Sequence, residues 1–302
     1  MAMLLSIVIV SWNTRDLLRA SLVALKAEIA LLQSQIPGAT VETFLVDNAS
    51  ADGSAAMAES EHPWVHLIAN NDNLGFAKAN NQAFKLSTGD FVLLLNPDTE
   101  IKPGALFTLL EFLKSHPEAG IVAPQLLNSD GSIQRSCREF PTFKGMLYEL
   151  IGLSRMFSSD SAFGQEVRRY KMLDFAHDHA RQVDQPEGAC LLVKREIFDK
   201  VGTLDEGFFM LFEEVDWCFR IIKAGYQIWF TPDAQVVHHY GQSIKQVKVP
   251  MILSSHRGLY RFWYKHYRGN RWWLDWFAYT SLMALAYLRI FSYRLRSLKT
   301  GA

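Results

Sequence analysis

The sequence has little cysteine. There are three in 302 residues, Cys137, Cys190 and Cys218, far apart and never in a CxxC pair. This excludes a disulfide framework and a zinc ribbon, and it suits a reducing compartment. The chain also lacks G-x-G-x-x-G after its first apolar run, where SWNTRDL stands instead, and so it is not a dinucleotide-binding dehydrogenase. It has no internal repeat and no low-complexity tract. The N-terminal stretch MAMLLSIVIVSWN carries neither a basic leader nor a small-residue cleavage site, and it reads as a buried strand rather than a signal peptide. Acids are scarce at the other end. From Gly241 onward only Asp275 stands against eleven Lys and Arg. The net charge of zero therefore divides into a body of about −10 and a tail of about +10.

What is present is globular, with 49% hydrophobic and 21% charged residues. The length accommodates one large α/β domain plus an appendage. LLSIVIVS at 4–11 is a continuous β-branched run, as for a strand buried on both faces. A helical pattern follows to about Ser34, then strands VETFLVD, WVHLIA and GDFVLLLNPD, with helix AKANNQAFKL between the last two. This rhythm predicts a mostly parallel sheet covered by helices, with ligands bound outside the carboxyl ends of the strands. Polar residues stand at three such ends: Ser11-Trp12-Asn13, Asp47-Asn48 and Asn96-Pro97-Asp98. Further on, NSDGSIQ reads as a hairpin turn and Phe143 to Gln185 as a variable insertion. EGACLLVKREIFDKVG reads as strand then helix, FFMLFEEVDWCFRIIKAG as loop then helix, and YQIWF and AQVVHHY as two strands.

Each polar cluster has a bland reading beside a chemical one. Asp98 at a strand end can hold a divalent cation that neutralises a diphosphate leaving group, or it can simply end the strand in an N-P-D turn. Asp47 can accept hydrogen bonds from a base or ribose, or cap a helix. Glu213, Glu214 and Asp216 open a helix, where its dipole favours acids; three carboxylates beside the apolar FFMLF also suit a general base with a raised pKa. His238-His239 is a candidate metal-ligand pair, of which strand alternation lets one ring face the site. Asn73-Leu74-Gly75-Phe76 either presents backbone amides to phosphate or is a plain turn.

Taken together, the strings VSWN at 10–13, VDNAS at 46–50, NLGFAKANN at 73–81, LLLNPD at 93–98, EGACLLVKREIF at 187–198, LDEGFFMLFEEVDWCFR at 204–220 and HHYGQS at 238–243 resemble family 2 glycosyltransferases, the rhamnosyltransferase-like branch. The resemblance implies a glycosyltransferase A-type α/β fold. It implies that Trp12 stacks on the donor base, that Asp47 reads it, and that Asn13, Asn73, Gly75 and Asn96 also face the donor. Asp98 then matches the last carboxylate of a DxD-like motif whose first position is Asn96. His238 is the second ligand of Mg²⁺ or Mn²⁺, with His239 in reserve. Glu214 is the base of an inverting displacement, with Asp216 in reserve.

The expected substrates are a nucleotide-diphosphate sugar, with dTDP-rhamnose first, and a hydroxyl of a lipid-linked saccharide or other saccharide acceptor. No nucleic acid partner is expected. Residues 1–244 are expected to form the catalytic domain and 245–302 a helical tail. That tail, RGLYRFWYKHYRGNRWWLDWF followed by AYTSLMALAYLRIFSYRLR, holds four of the eight tryptophans. Its most apolar part, Trp276 to Ile290, is short for a span and contains Arg289. It suits an interfacial helix on an anionic membrane surface, placing a cytoplasmic protein on the inner face of the cell membrane, or else a helical hairpin packed on the body. The competing functions are a polyprenyl-phosphate sugar synthase of the same fold and a non-catalytic sugar-binding protein.

Overall fold

The computed structural model describes residues 4–140, 142, 162–239 and 247–300. Part of the expected insertion and the Gly-Gln-Ser of HHYGQS lie outside the described residues.

The apolar runs become the centre of a mixed sheet. Strands β1 (Leu4–Ser11), β2 (Thr40–Asp47), β3 (His66–Ala69) and β4 (Phe91–Leu95) pair in parallel in the order β3-β2-β1-β4. Helices α1 (Arg15–Gln35), α2 (Ser54–Glu61) and α3 (Phe76–Leu86) connect them. Beyond β4 the order continues through β11 (Cys190–Lys194), β6 (Ala119–Leu127), β12 (Gln227–His238) and β5 (Thr99–Ile101). Strand β11 runs antiparallel to both its neighbours, and β12 runs parallel to β6. The central strands are buried on both sides because apolar clusters cover both sheet faces, one built on Leu5, Ile7 and Ile9, the other on Val8 and Val10.

Short pieces complete the body: α4 (Ala105–Ser115), the hairpin of β6 with β7 (Ile133–Gln134) turned at Gly131, β8 (Cys137–Arg138), α5 (Ala162–Tyr170), β9 (Arg181–Gln182), β10 (Gln185–Pro186), α6 (Arg195–Val201) and α7 (Glu213–Lys223). Glu28, buried in the middle of α1, accepts the amides of Gly104 and Leu106 and so caps α4 from a neighbouring helix.

Two differences from the sequence reading have physical causes. YQIWF and AQVVHHY are one strand, β12, and not two. Pro232 cannot donate to a ladder, yet the pairing with β6 shifts register between Thr231 and Gln235 and then resumes. The tail is a pair of helices, α8 (Lys248–His266) and α9 (Asp275–Thr300), joined through a 3₁₀ turn at Trp272–Leu274. Helix α8 is packed on the body, burying Phe262, Leu259 and His256. Helix α9 leaves Trp276 77% and Phe277 63% exposed. The two helices pack on one another through Ile252, Met283, Ala286 and Ile290, as the hairpin expectation has it.

Candidate active site

Strand ends deliver most of the candidate residues to one place. A cavity of about 320 Å³ is lined by Trp12, Asn73, Gly75, Asn96, Asp98, Glu214 and His238 among the expected residues. Asn48, Glu187, Glu213 and the apolar side chains of Met210 and Met251 line it too. Asn13, Asp47 and Asp216 are not among its lining residues.

The first wall forms where β1, β2 and β4 stop. Asn48, 2% exposed, organises it. Its amide nitrogen donates to Asn73 Oδ1 at 2.9 Å and to the Gly75 carbonyl, while its oxygen accepts the Leu74 amide at 3.0 Å and the Asn70 side chain. The Gly75 amide donates to Asn73 Oδ1, and the Phe76 amide to the Phe209 carbonyl at 2.7 Å. These amides are committed within the protein, so the idea that NLGF offers them to phosphate is corrected. Gly75 is required for a different reason: at φ +83, a Cβ there would lie 2.4 Å from the Phe209 carbonyl oxygen.

Asn13 and Asp47 brace this wall from outside the cavity. Asn13 donates its backbone amide to Ser50 Oγ and accepts the Ala51 amide on its side chain. Asp47 accepts the Ser50 amide, and its other oxygen is buried with no partner among the described residues. Asp47 thus holds the turn through one oxygen only.

Asp98 and His238 meet through sheet register. His238 pairs with Thr99 where β12 runs beside β5, and the His239 amide donates to the Asp98 carbonyl. His238 Nε2 lies 3.5 Å from Asp98 Oδ1. On the ring's other side Nδ1 lies 2.8 Å from Gln134 Oε1, and the Gln134 amide nitrogen donates to Asn128. Gln134 therefore presents an acceptor to Nδ1, which orients the ring with Nε2 toward Asp98. A carboxylate and an imidazole facing one another across 3.5 Å are both common ligands of a divalent cation. Asn96 adds a buried amide oxygen that has no partner among the described residues. No group of three or more His, Cys, Asp or Glu side chains gathers as a metal site among the described residues, so a cation here would complete its shell from substrate oxygens and water. His239 points elsewhere, to Ser129 and Glu100.

The remaining wall carries buried acids. Glu213 and Glu214 each have an Oε2 with no partner among the described residues. Burial pushes both carboxyls up, with Glu214 adding to the rise of Glu213 and Glu187 to that of Glu214. Glu187, likewise raised by burial, feels His238 and Asp98 as well and so links the two halves of the cavity. Its place inside EGACLLVK gave no local signal that its side chain would face the site. The backbone leading into α7 is strained: Leu211 and Phe212 have φ of +71° and +77°, at a cost of about 1–3 kcal/mol each for such residues.

Asp216 belongs to a different structure. Fully buried, it is held by Arg220 at 2.8 Å, Lys265 at 2.6 Å and His266 at 2.8 Å. Burial alone would raise its carboxyl, but hydrogen bonds from His266 and Lys265 and the charges of Arg220 and Lys265 hold it below the usual range. It serves an ion-pair cluster between α7 and α8, which corrects its standing as a reserve base.

A strand-end cavity in an α/β sheet, with a carboxylate–imidazole pair on one wall and acids on another, is where most of the expected residues converge. Residues 6–219 match the family model for glycosyl transferase family 2, and the chain belongs to that family. It is a glycosyltransferase similar to the rhamnosyltransferases. It is 30% identical over 272 residues to the N-acetylglucosaminyl-diphospho-decaprenol L-rhamnosyltransferase of Mycobacterium tuberculosis, covering 85% of this chain and 86% of that one. It is 24% identical over 178 residues to rhamnosyltransferase WbbL of Escherichia coli, covering 58% and 61%. Among solved structures, the mannosyltransferase PcManGT of Pyrobaculum calidifontis, in complex with GDP-Man and Mn²⁺, has a TM-score of 0.57 at 16% identity, covering 99% of this chain and 81% of that one. GalNAc-T7 with UDP, GalNAc and Mn²⁺ has a TM-score of 0.55 at 15% identity, covering 78% and 43%. These likenesses show the glycosyltransferase A-type fold.

Proposed function

We propose that the chain transfers rhamnose from dTDP-rhamnose, with inversion, to a hydroxyl of a lipid-linked saccharide during synthesis of a cell-surface polysaccharide. The observation that carries this reading is that Asp98, His238 and Glu214, 140 residues apart at the extremes, line one cavity. The named relatives supply the sugar and the acceptor class.

In this reading Trp12 stacks on the donor base. Asp98 and His238, with the Asn96 amide oxygen, hold Mg²⁺ or Mn²⁺, which supplies charge neutralisation at the diphosphate. Both structural neighbours were solved with Mn²⁺. Glu214 accepts the proton of the acceptor hydroxyl on its buried oxygen as that hydroxyl attacks the anomeric carbon. The bond to the diphosphate breaks on the far side, and one displacement inverts the centre. Glu214 is poised for this because burial has made it a stronger base than an ordinary glutamate.

Residues 1–244 then constitute the catalytic domain, and the tail, 245–302, docks on it through α8 and meets an anionic membrane surface at the inner face of the cell membrane through α9. Among the described residues no helix is long and apolar enough to cross a membrane. Phe277, Leu288, Phe291 and Leu295 are exposed along α9 at helical spacing, and Arg289, Arg294 and Arg296 stand among them, a pattern that suits anionic headgroups.

Calorimetry with a panel of nucleotide sugars and Mn²⁺ tests the donor. Binding of dTDP-rhamnose that requires the cation is expected; tighter binding of another nucleotide sugar would replace rhamnose in the reading. Vesicle co-sedimentation tests the tail: Phe277→Ser with Phe291→Ser should release the protein from anionic vesicles, and undiminished binding would remove α9 from that role.

A further inference from the structure

The loop that enters α7 cannot hold its shape by itself. Leu211 and Phe212 are both bulky and both left-handed, a conformation that persists only where surrounding structure fixes it. Donor-side structure fixes one end, through the Phe76 amide and the close approach of Gly75 to Phe209. The rest is held by α8, an element of the tail.

Four consecutive turns of α8 address this segment. Ser254 Oγ donates to the Met210 carbonyl at 2.6 Å. Gly258 allows the helix to approach so closely that a Cβ there would lie 3.0 Å from both the Leu211 oxygen and a Phe212 ring carbon. Arg261 pairs with Asp205 at 2.7 Å. Lys265 reaches Asp205 and Asp216, each at 2.6 Å, and His266 joins it on Asp216. Positions 254, 258, 261 and 265 lie on one helix face. That face spans 205–216 from end to end, with Glu213 and Glu214 inside the span. The opposite side of α8 packs on α9, where Ile252 meets Met283, Ala286 and Ile290.

We propose that α8 is a positioning element of the active site: Ser254, Gly258, Arg261 and Lys265 hold the 205–212 loop and the first turn of α7 so that Glu214 faces the cavity. The tail is then part of the catalytic apparatus and not only a means of attachment. This rests on the reading of Glu214 as the base. It also gives a route by which displacement of α9 would reach the acceptor side of the cavity without altering the strand-end wall.

The test uses the full chain, with transfer to acceptor and donor affinity measured separately on Ser254→Ala, Ser254→Thr, Gly258→Ala and Glu214→Gln. Ser254→Ala and Gly258→Ala should each lower kcat tenfold or more, leaving the donor dissociation constant within twofold. Ser254→Thr, which keeps the hydroxyl, should recover most of the loss. Should Gly258→Ala fail to fold, the Ser254 pair decides the matter alone. Unchanged kcat in folded Ser254→Ala, while Glu214→Gln is inactive, would overturn the positioning role. So would a loss that falls equally on donor affinity, because that is a general structural effect. A fully active Glu214→Gln would instead overturn the base assignment, an outcome distinguishable from the others.

Discussion

The two walls of the cavity are built on opposite terms. On the strand-end side, Asn48 ties its neighbours into one hydrogen-bonded network, engaging Asn70, Asn73, Leu74 and Gly75, while one oxygen each of Asp47 and Asn96 stays without a partner among the described residues. On the α7 side, buried Glu213 and half-buried Glu214 each keep a buried oxygen without a partner among the described residues, and the backbone beside them is left-handed at two bulky residues. The first wall is a rigid frame of the kind that fixes a donor's position. The second holds two carboxyls that burial raises, beside a strained backbone. The first wall is held together by its own side chains, and the second by packing from α8.

This contrast can be broken most forcefully at Asp98. Asp98→Ala should lower turnover by about 10³-fold, the upper range for losing one preorganised electrostatic group, and should abolish the Mn²⁺-dependent heat of donor binding without changing the melting temperature. Metal dependence that survives would detach Asp98 from the cation. Glu214 and Asp216, two residues apart, should separate cleanly. Glu214→Gln should reduce kcat by about 10²–10⁴ with stability retained. Asp216→Asn should cost about 3–5 kcal/mol, as breaking a buried ion pair does, read from a denaturation midpoint. The reverse assignment of effects would exchange their roles. Asn48→Ala, which strands the Leu74 amide, should destabilise by about 1–3 kcal/mol and raise the donor KM more than it lowers kcat.

The smallest expected effect is a pH dependence. The Glu213 carboxyl is raised by burial and by Glu214, so the folded state holds a proton that the unfolded state releases. That contribution is complete below the ordinary glutamate value of 4.5 and is lost as pH rises through the folded value. Glu213→Gln cannot ionise, so its melting temperature should gain on the parent as pH increases from 4 to 8. A difference that stays flat with pH would show that Glu213 is not held protonated.

Much of the donor wall was legible in the sequence. Continuous apolar runs ending in Trp12, Asp47 and Asp98 mark buried parallel strands whose ends meet, and adjacent strands enforce this, as Ser11 lies beside Asp47. What the runs could not show is which polar residue turns inward: Asn48 lines the cavity and its neighbour Asp47 does not. Residues 99–124 carry no clear pattern, although β5, α4 and most of β6 lie there; Pro124 inside the wholly buried β6 obscures its strand pattern. For the acids, helix geometry alone requires that Glu214 and Asp216 face nearly opposite ways, but not which of them faces the cavity. Docking of Lys265 and His266 onto Asp216 decided that.

The sequence by itself therefore determined the class of fold, the polar residues that stand at the strand ends and the basic, acid-poor tail, because these depend on local runs, periodicity and composition. Only the tertiary structure decided that β12 lies beside β5 so that His238 reaches Asp98, and that a helix of the tail braces the loop before Glu214. Those contacts join residues 140 and 44 positions apart, and such pairings are set by sheet register and helix packing, which no local pattern encodes.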